Sequence, residues 1–192
     1  MGGSQFTRRW SRDILLVEDD DDYREGLADI LRSEGYSVRC AANGLEALDY
    51  LKTAEARPSV ILLDLMMPVM NGWDFRQRML AEASLADIPV IVMSAAPGGI
   101  DTAALSTADA LQKPVELAAL LKLVEQRLLD TCALCRAPIG EHRHTLVLKG
   151  AIAAALCTGC RDSAPALEAE LVAVLDRFAS KQLREDRRPQ TN

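Results

Sequence analysis

The sequence predicts an α/β fold, a doubly wound parallel sheet of five strands, followed by a smaller cysteine-bearing module and a long helix. Three observations carry this expectation. Short apolar runs such as Val60-Ile61-Leu62-Leu63 alternate with stretches whose apolar residues recur at helical spacing. Strands alternating with helices imply a parallel sheet covered on both faces by right-handed crossovers. Four of the five cysteines lie beyond residue 130, in two close pairs, which marks a change of organisation at that point.

The apolar run at 14–17 is the first strand, and Leu27, Ile30 and Leu31 then recur at helical spacing until Gly35 stops them. Residues 36–41 form the second strand, and Asn43 is the N-cap of a helix carrying Leu45, Leu48 and Leu51. The run at 60–63 is the third strand, buried on both faces. A charge inside such a strand is costly, so Asp64 belongs at the rim. Residues 72–82 supply the third helix and 90–93 the fourth strand. A short, weakly patterned fourth helix is expected at 102–106 and a fifth strand at 108–112. Pro114 then opens a helix through Leu117, Leu120, Leu121, Val124 and Leu128, because Pro is tolerated in a first turn. Cys40, alone on the second strand, reads as a small core residue.

With 192 residues the chain has room for one ordinary domain and something smaller. The net charge of -6 is unevenly divided: residues 1–130 carry 13 Lys and Arg against 21 Asp and Glu, whereas 131–192 carry 9 against 7. The acidic first part is unsuited to gripping nucleic acid, and the second part permits such contact without demanding it. No stretch approaches the roughly 18 consecutive apolar residues of a membrane span. The first residues lack the apolar centre of a secretory signal, and Phe6 breaks the myristoylation pattern. A cytoplasmic protein without membrane contact is the expectation, with residues 1–12 and 184–192 as disordered ends.

The parallel topology brings Glu18, Asp19 and Asp20 to the end of the first strand, Asp64 to the end of the third, Ser94 to the fourth and Lys113 to the fifth. In an open parallel sheet this carboxyl edge is where ligands bind. Clustered carboxylates repel one another unless a cation intervenes, and hard oxygen donors suit Mg²⁺. With the acids neutralised, Asp64 can attack a phosphoryl group, Lys113 can act as a point charge on its oxygens, and Ser94 can donate a hydrogen bond. Asp21 and Asp22 read as helix-start residues. Pro68, Asn71 and Gly72 shape the loop after Asp64, with Gly72 allowing a positive φ. Met66, Met67 and Met70 read as loop packing.

Four segments, ILLVEDD at 14–20, ILLDLMMPVMNG at 61–72, VIVMSA at 90–95 and LQKP at 111–114, carry a resemblance. In this order residues 13–129 resemble the receiver domain of two-component response regulators, a flavodoxin-like family that takes a phosphoryl group from a histidine kinase or phosphotransfer protein. The resemblance implies that Asp64 is the phosphoacceptor and that Ser94 and Lys113 hold the phosphoryl group and carry the switch. It also implies that Glu18, Asp19, Asp64 and the backbone carbonyl of Met66 serve Mg²⁺. One departure stands out: three positions before the lysine, where the family usually has an aromatic residue that reports phosphorylation, this chain has Ala110.

Cys132 and Cys135, then Cys157 and Cys160, form two C-x2-C pairs separated by 21 residues. Four thiolates around one tetrahedral ion form a closed structural site, so the spacing reads as Zn²⁺ binding over residues 130–183. Disulfide and redox readings are weaker in a cytosolic chain. His142 and His144 are substitute ligands at most. HTLVLKG followed by AIAAALC suggests a hairpin turning near Lys149-Gly150, and the module resembles a treble clef or zinc ribbon. A helix from about residue 164 carries Leu167, Leu171, Val174, Leu175 and Phe178 on one face, suited to its own module or to a homodimer partner.

The function expected from these features is signalling rather than enzymatic: phosphorylation of Asp64, read out through the zinc module by contact with an unidentified output protein. A metal-dependent phosphatase is the alternative. It is disfavoured because Leu65-Met66 puts no second carboxylate two residues after Asp64. A DNA-binding zinc module is a further alternative, disfavoured because only Arg136, Arg143, Lys149 and Arg161 supply basic charge near the cysteines.

Overall fold

The structure is a computed structural model, and it describes residues 12–54, 57–95, 103, 105–107 and 109–130, with the backbone of two further strands at 143–148 and 151–157. The chain divides into two compact units, Ser11–Leu128 and one that holds the two later strands.

The first unit runs β1 (Asp13–Val17), α1 (Asp21–Ser33), β2 (Ser37–Ala41), α2 (Gly44–Thr53), β3 (Val60–Asp64), α3 (Gly72–Ala81), β4 (Val90–Ser94), β5 (Asp109–Gln112) and α4 (Leu117–Leu129). Its five strands are all parallel, in the order β2-β1-β3-β4-β5. Alternate residues of each strand point to opposite faces. Leu15, Val17, Ile61 and Leu63 therefore join Leu48 of α2 and Phe75 and Met79 of α3 in one apolar layer. Ile14, Leu16, Leu62 and Ile91 join Leu27 and Leu31 of α1 and Leu120 and Val124 of α4 in the other. Burial of each such side chain is worth about 1.5–3 kcal/mol, so the two layers together fix the register that aligns the strand ends.

The helix starts are capped as their sequences dictate. Asp20 accepts from the Tyr23 N–H, Asn43 from the Leu45 and Glu46 N–H groups, and Asn71 from the Asp74 N–H. Glu46 reinforces that start, its carboxylate accepting from the Ala42 N–H at 2.9 Å and from the Asn43 side-chain amide at 3.1 Å.

Several expectations require correction. Pro114 does not open the last helix; it follows a cis Lys113–Pro114 bond in the turn after β5, and α4 starts at Leu117, with the Leu120 N–H donating to the Glu116 carbonyl. The described residues of the expected helix at 102–106 form a turn, in which Ser106 has a φ of 48°, a value that a right-handed helix excludes. Gly72 is helical and not at positive φ. Glycine is needed there because a Cβ would lie 2.4 Å from the Asp64 carbonyl oxygen and 2.8 Å from the Leu65 Cα. The positive φ in that loop falls on Val69 instead, at 66°. Met67 and Met70 pack into the core, but Met66 is 56% exposed. Arg12, expected in a disordered end, accepts from the Ser37 N–H through its carbonyl and lays its guanidinium over the Tyr36 ring. Cys40 is half-buried against the α1 and α4 layer.

In the second unit, β6 (Arg143–Leu148) and β7 (Ala151–Cys157) pair antiparallel, with Arg143 opposite Cys157 and a register irregularity between Leu146 and Val147. The hairpin expected between the cysteine pairs is therefore present. Cys132, Cys135 and Cys160, the helix from about 164 and the ends at 1–11 and 184–192 lie outside the described residues. The side chains of Cys157 and His144 do so as well.

Candidate functional site

Parallel pairing brings the strand ends to one edge: Val17 lies opposite Leu63, Asp64 opposite Met93, and Ser94 opposite Gln112. Glu18 continues β1, with its N–H donating to the Ala41 carbonyl at 3.1 Å, and is 1% exposed. Asp64 is the last residue of β3 and is also buried. Lys113 follows β5, and its backbone N–H donates to the Ser94 carbonyl at 3.0 Å, which ties the lysine to the end of β4. Ser94 itself is fully buried.

The Lys113 ammonium donates to Glu18 Oε2 at 2.6 Å and to Asp64 Oδ2 at 2.8 Å. The other Asp64 oxygen, Oδ1, accepts from the Leu65 N–H at 2.6 Å and the Met66 N–H at 3.2 Å. Asp64 is thus oriented by two backbone amides on one side and an ammonium on the other. One oxygen from each of Glu18, Asp19 and Asp64 lies within 4.8 Å of the others. One ammonium cannot neutralise three such carboxylates.

The titration behaviour follows from this crowding. Burial pushes the Glu18 carboxyl above its ordinary range, and Lys113 pulls it back only in part. Burial favours the neutral form of Lys113, but the bonds to Asp64 and Glu18 outweigh it and hold the amine above its usual value. Near neutral pH the lysine is a fixed cation.

Every described residue expected at this edge is brought there, and Asp19 is exposed while Glu18 and Asp64 are not. Asp20 serves as the α1 cap. The residue reading missed two neighbours, Arg24 and Tyr23, and a buried arginine on α3, Arg76. Arg24 donates from Nη1 to the Glu18 carbonyl at 2.7 Å and to the Asp19 carbonyl at 3.4 Å, while Nη2 pairs with Asp21. It fixes the backbone that carries both acids. A basic residue close behind the acids at a helix start runs against the helix dipole, and that was the legible signal. Tyr23 lays its ring 4.7 Å from the Lys113 nitrogen. Arg76, buried on α3, donates from Nε to the Leu105 carbonyl at 3.0 Å and from Nη2 to the Ser106 carbonyl at 3.2 Å. Ala110 is half-buried in β5 against the α2 and α3 layer.

Comparison with known proteins places this geometry. The response regulator receiver domain family model matches residues 14–125. Response regulator MprA of Mycobacterium sp. (strain KMS) is 37% identical over 114 residues, covering 56% of this chain and 46% of that protein. The chain therefore spans about half the length of the curated relatives it matches. Among solved structures, a response regulator receiver protein from Pseudomonas putida is 31% identical with a TM-score of 0.54, covering 60% of this chain and 97% of that one. The receiver domain of a sensor histidine kinase from Pseudomonas aeruginosa PAO1, which has a magnesium ion coordinated in its active-site cleft, is 28% identical with a TM-score of 0.54. That match covers 60% of this chain and 96% of the other.

Proposed function

Because the chain belongs to the response regulator receiver domain family, we propose that residues 13–129 accept a phosphoryl group on Asp64 from a histidine kinase or phosphotransfer protein. The observation that supports this most directly is one ammonium bridging two buried carboxylates, Lys113 at 2.6 Å from Glu18 and 2.8 Å from Asp64. In the step proposed, a carboxylate oxygen of Asp64 attacks phosphorus, the bond to the donor's phosphohistidine nitrogen breaks, and the electron pair leaves with the imidazole. Negative charge then extends outward onto the phosphoryl oxygens, where Lys113 pairs with it and the Ser94 hydroxyl donates to it.

The three clustered carboxylates are hard donors that fit Mg²⁺, with the Met66 backbone carbonyl as a further ligand; the ion, when bound, neutralises the charge that the acids and phosphoryl oxygens bring together. Residues 130–183 are the proposed output module, with Zn²⁺ on Cys132, Cys135, Cys157 and Cys160 and signalling by protein contact. Its support is the cysteine spacing together with the β6–β7 hairpin that separates the pairs. Among the described residues no helix is long and apolar enough to cross a membrane.

Incubation of the full chain with acetyl phosphate and Mg²⁺ is expected to add one phosphoryl group, seen by intact-mass spectrometry. Asp64→Asn is expected to abolish it. Undiminished labelling of that variant overturns the assignment. Elemental analysis of protein purified without chelators checks the zinc, with one ion per chain expected.

A further inference from the structure

Lys113 Nζ meets Glu18 and Asp64 through its hydrogens, and the Tyr23 ring covers another side of it at 4.7 Å. The ring comes from a different element, the first turn of α1. Its far end reaches the turn after β5, where the Val115 backbone lies close enough to the Tyr23 hydroxyl to lower its pKa against the larger effect of burial, and both residues pack on the same apolar layer. A single half-buried side chain therefore touches the ammonium at one end and the approach to α4 at the other.

The backbone around Tyr23 is pinned. Its N–H donates to the Asp20 cap at 2.9 Å, and the adjacent Arg24 holds the carbonyls of Glu18 and Asp19. Any response of Tyr23 to a change at Asp64 must come from its side chain. We infer that Tyr23 couples the charge on Asp64 to the segment leading into α4, through its ring on Lys113 and its hydroxyl on Val115. This rests on Asp64 being the phosphoacceptor. When a carboxylate becomes an acyl phosphate, the strongest anion facing Lys113 moves outward and the ammonium follows it. An ammonium is attracted to a ring face only within about 6 Å of the centroid. Displacement of the nitrogen therefore removes or re-forms the contact that holds the ring, and the hydroxyl moves relative to Val115.

The test uses the full chain labelled with ¹⁵N, with beryllofluoride and Mg²⁺ standing in for the phosphoryl group. Occupancy is read independently from ¹⁹F resonances of the bound fluoride. In the unsubstituted chain the amides from Val115 to Leu117 are expected to shift on binding. Tyr23→Leu should bind beryllofluoride yet lose most of that shift, and Tyr23→Phe, which keeps the ring and lacks the hydroxyl, should fall between. Thermal unfolding of the three proteins checks that each is folded. An equal shift in all three, at equal occupancy, overturns the coupling role and leaves the phosphoacceptor standing. Absence of any bound fluoride in the unsubstituted chain overturns both.

Discussion

The loops after β1 and β3 are held mainly by caps and backbone bonds, whereas the described residues of the crossover between β4 and β5 are held by side chains, Arg76 from α3 and Thr107 from the crossover itself. After β3 the Gly72 N–H returns to the Leu65 carbonyl at 3.0 Å, and Asn71 caps α3. The neighbouring α2 start joins them, the Gly44 N–H donating to the Met70 carbonyl at 3.0 Å. Across the crossover, by contrast, Arg76 grips two carbonyls 29 and 30 residues away, and the Thr107 hydroxyl donates to the Val90 carbonyl at 2.7 Å. The first arrangement makes a rigid frame around Asp64 and Glu18. Among the described residues, the second holds the β4–β5 side through the buried Arg76 guanidinium and the Thr107 hydroxyl.

Breaking the guanidinium's hold should have the largest effect. Burial lowers the Arg76 pKa, and among the described residues its Nη1 finds no acceptor, so the guanidinium is held at a cost. Arg76→Ala removes both bonds and leaves a cavity, and is expected to destabilise the protein by about 3 kcal/mol in urea titration. Asn71→Ala, which removes a cap, should cost about 1 kcal/mol. Equal losses would remove the distinction between the two sides.

The same contrast explains what could be read in advance. The buried run of β3, the cap Asn43 and the acids at the strand ends declare themselves through neighbours within a few residues, and all were legible, whereas Asn71, read only as a loop residue, is the cap of α3. Arg76 was not legible, because its partners lie a whole strand and crossover away and nothing local marks an arginine for burial. Gly72 was recognised as necessary for the wrong reason: the constraint is not its own φ but the approach of Asp64 and Leu65 from the preceding strand end. Tyr23 and Arg24 escaped because the acids around them already suit a helix start. Pro114 suits a helix start locally, and only the route of the chain after β5 assigns it to the turn.

The rigid frame contains one strained element, and relieving it sharpens the comparison at smaller amplitude. Val69 is β-branched, 78% exposed and at a φ of 66°, with the Met70 N–H bonded across it to the Pro68 carbonyl at 2.7 Å. Such a backbone costs an L-residue about 1–2 kcal/mol. Glycine adopts it freely but loses about 0.5–1 kcal/mol through its freer unfolded chain. Val69→Gly is therefore expected to stabilise the protein by about 0.5–1 kcal/mol. A loss would mean that the exposed side chain makes a contact the frame needs, and that the strain is not released by glycine.

The smallest effect is the pH dependence of the metal-free frame, because Lys113 offsets part of what burial does to Glu18. The folded protein binds the Glu18 proton more tightly than the unfolded chain, whose value is near 4.5. Stability from this residue is therefore greatest when it is protonated, and declines as pH rises from about 4.5 through its higher folded value. Glu18→Gln has no such proton to lose. Its urea midpoint should stay flatter over that window, so the variant gains on the parent chain as the parent ionises. Lys113 acts at the other end: its raised value keeps its stabilisation intact below 10.5, to be lost only as pH climbs through the folded value. Mg²⁺ should reverse the acid-side difference, because the ionised Glu18 then has a cation to face and the glutamine does not. Midpoints of the two proteins that run parallel from pH 4 to 8 in chelator would show that Glu18 carries no burial cost, and that the frame around Asp64 is set by Lys113 alone.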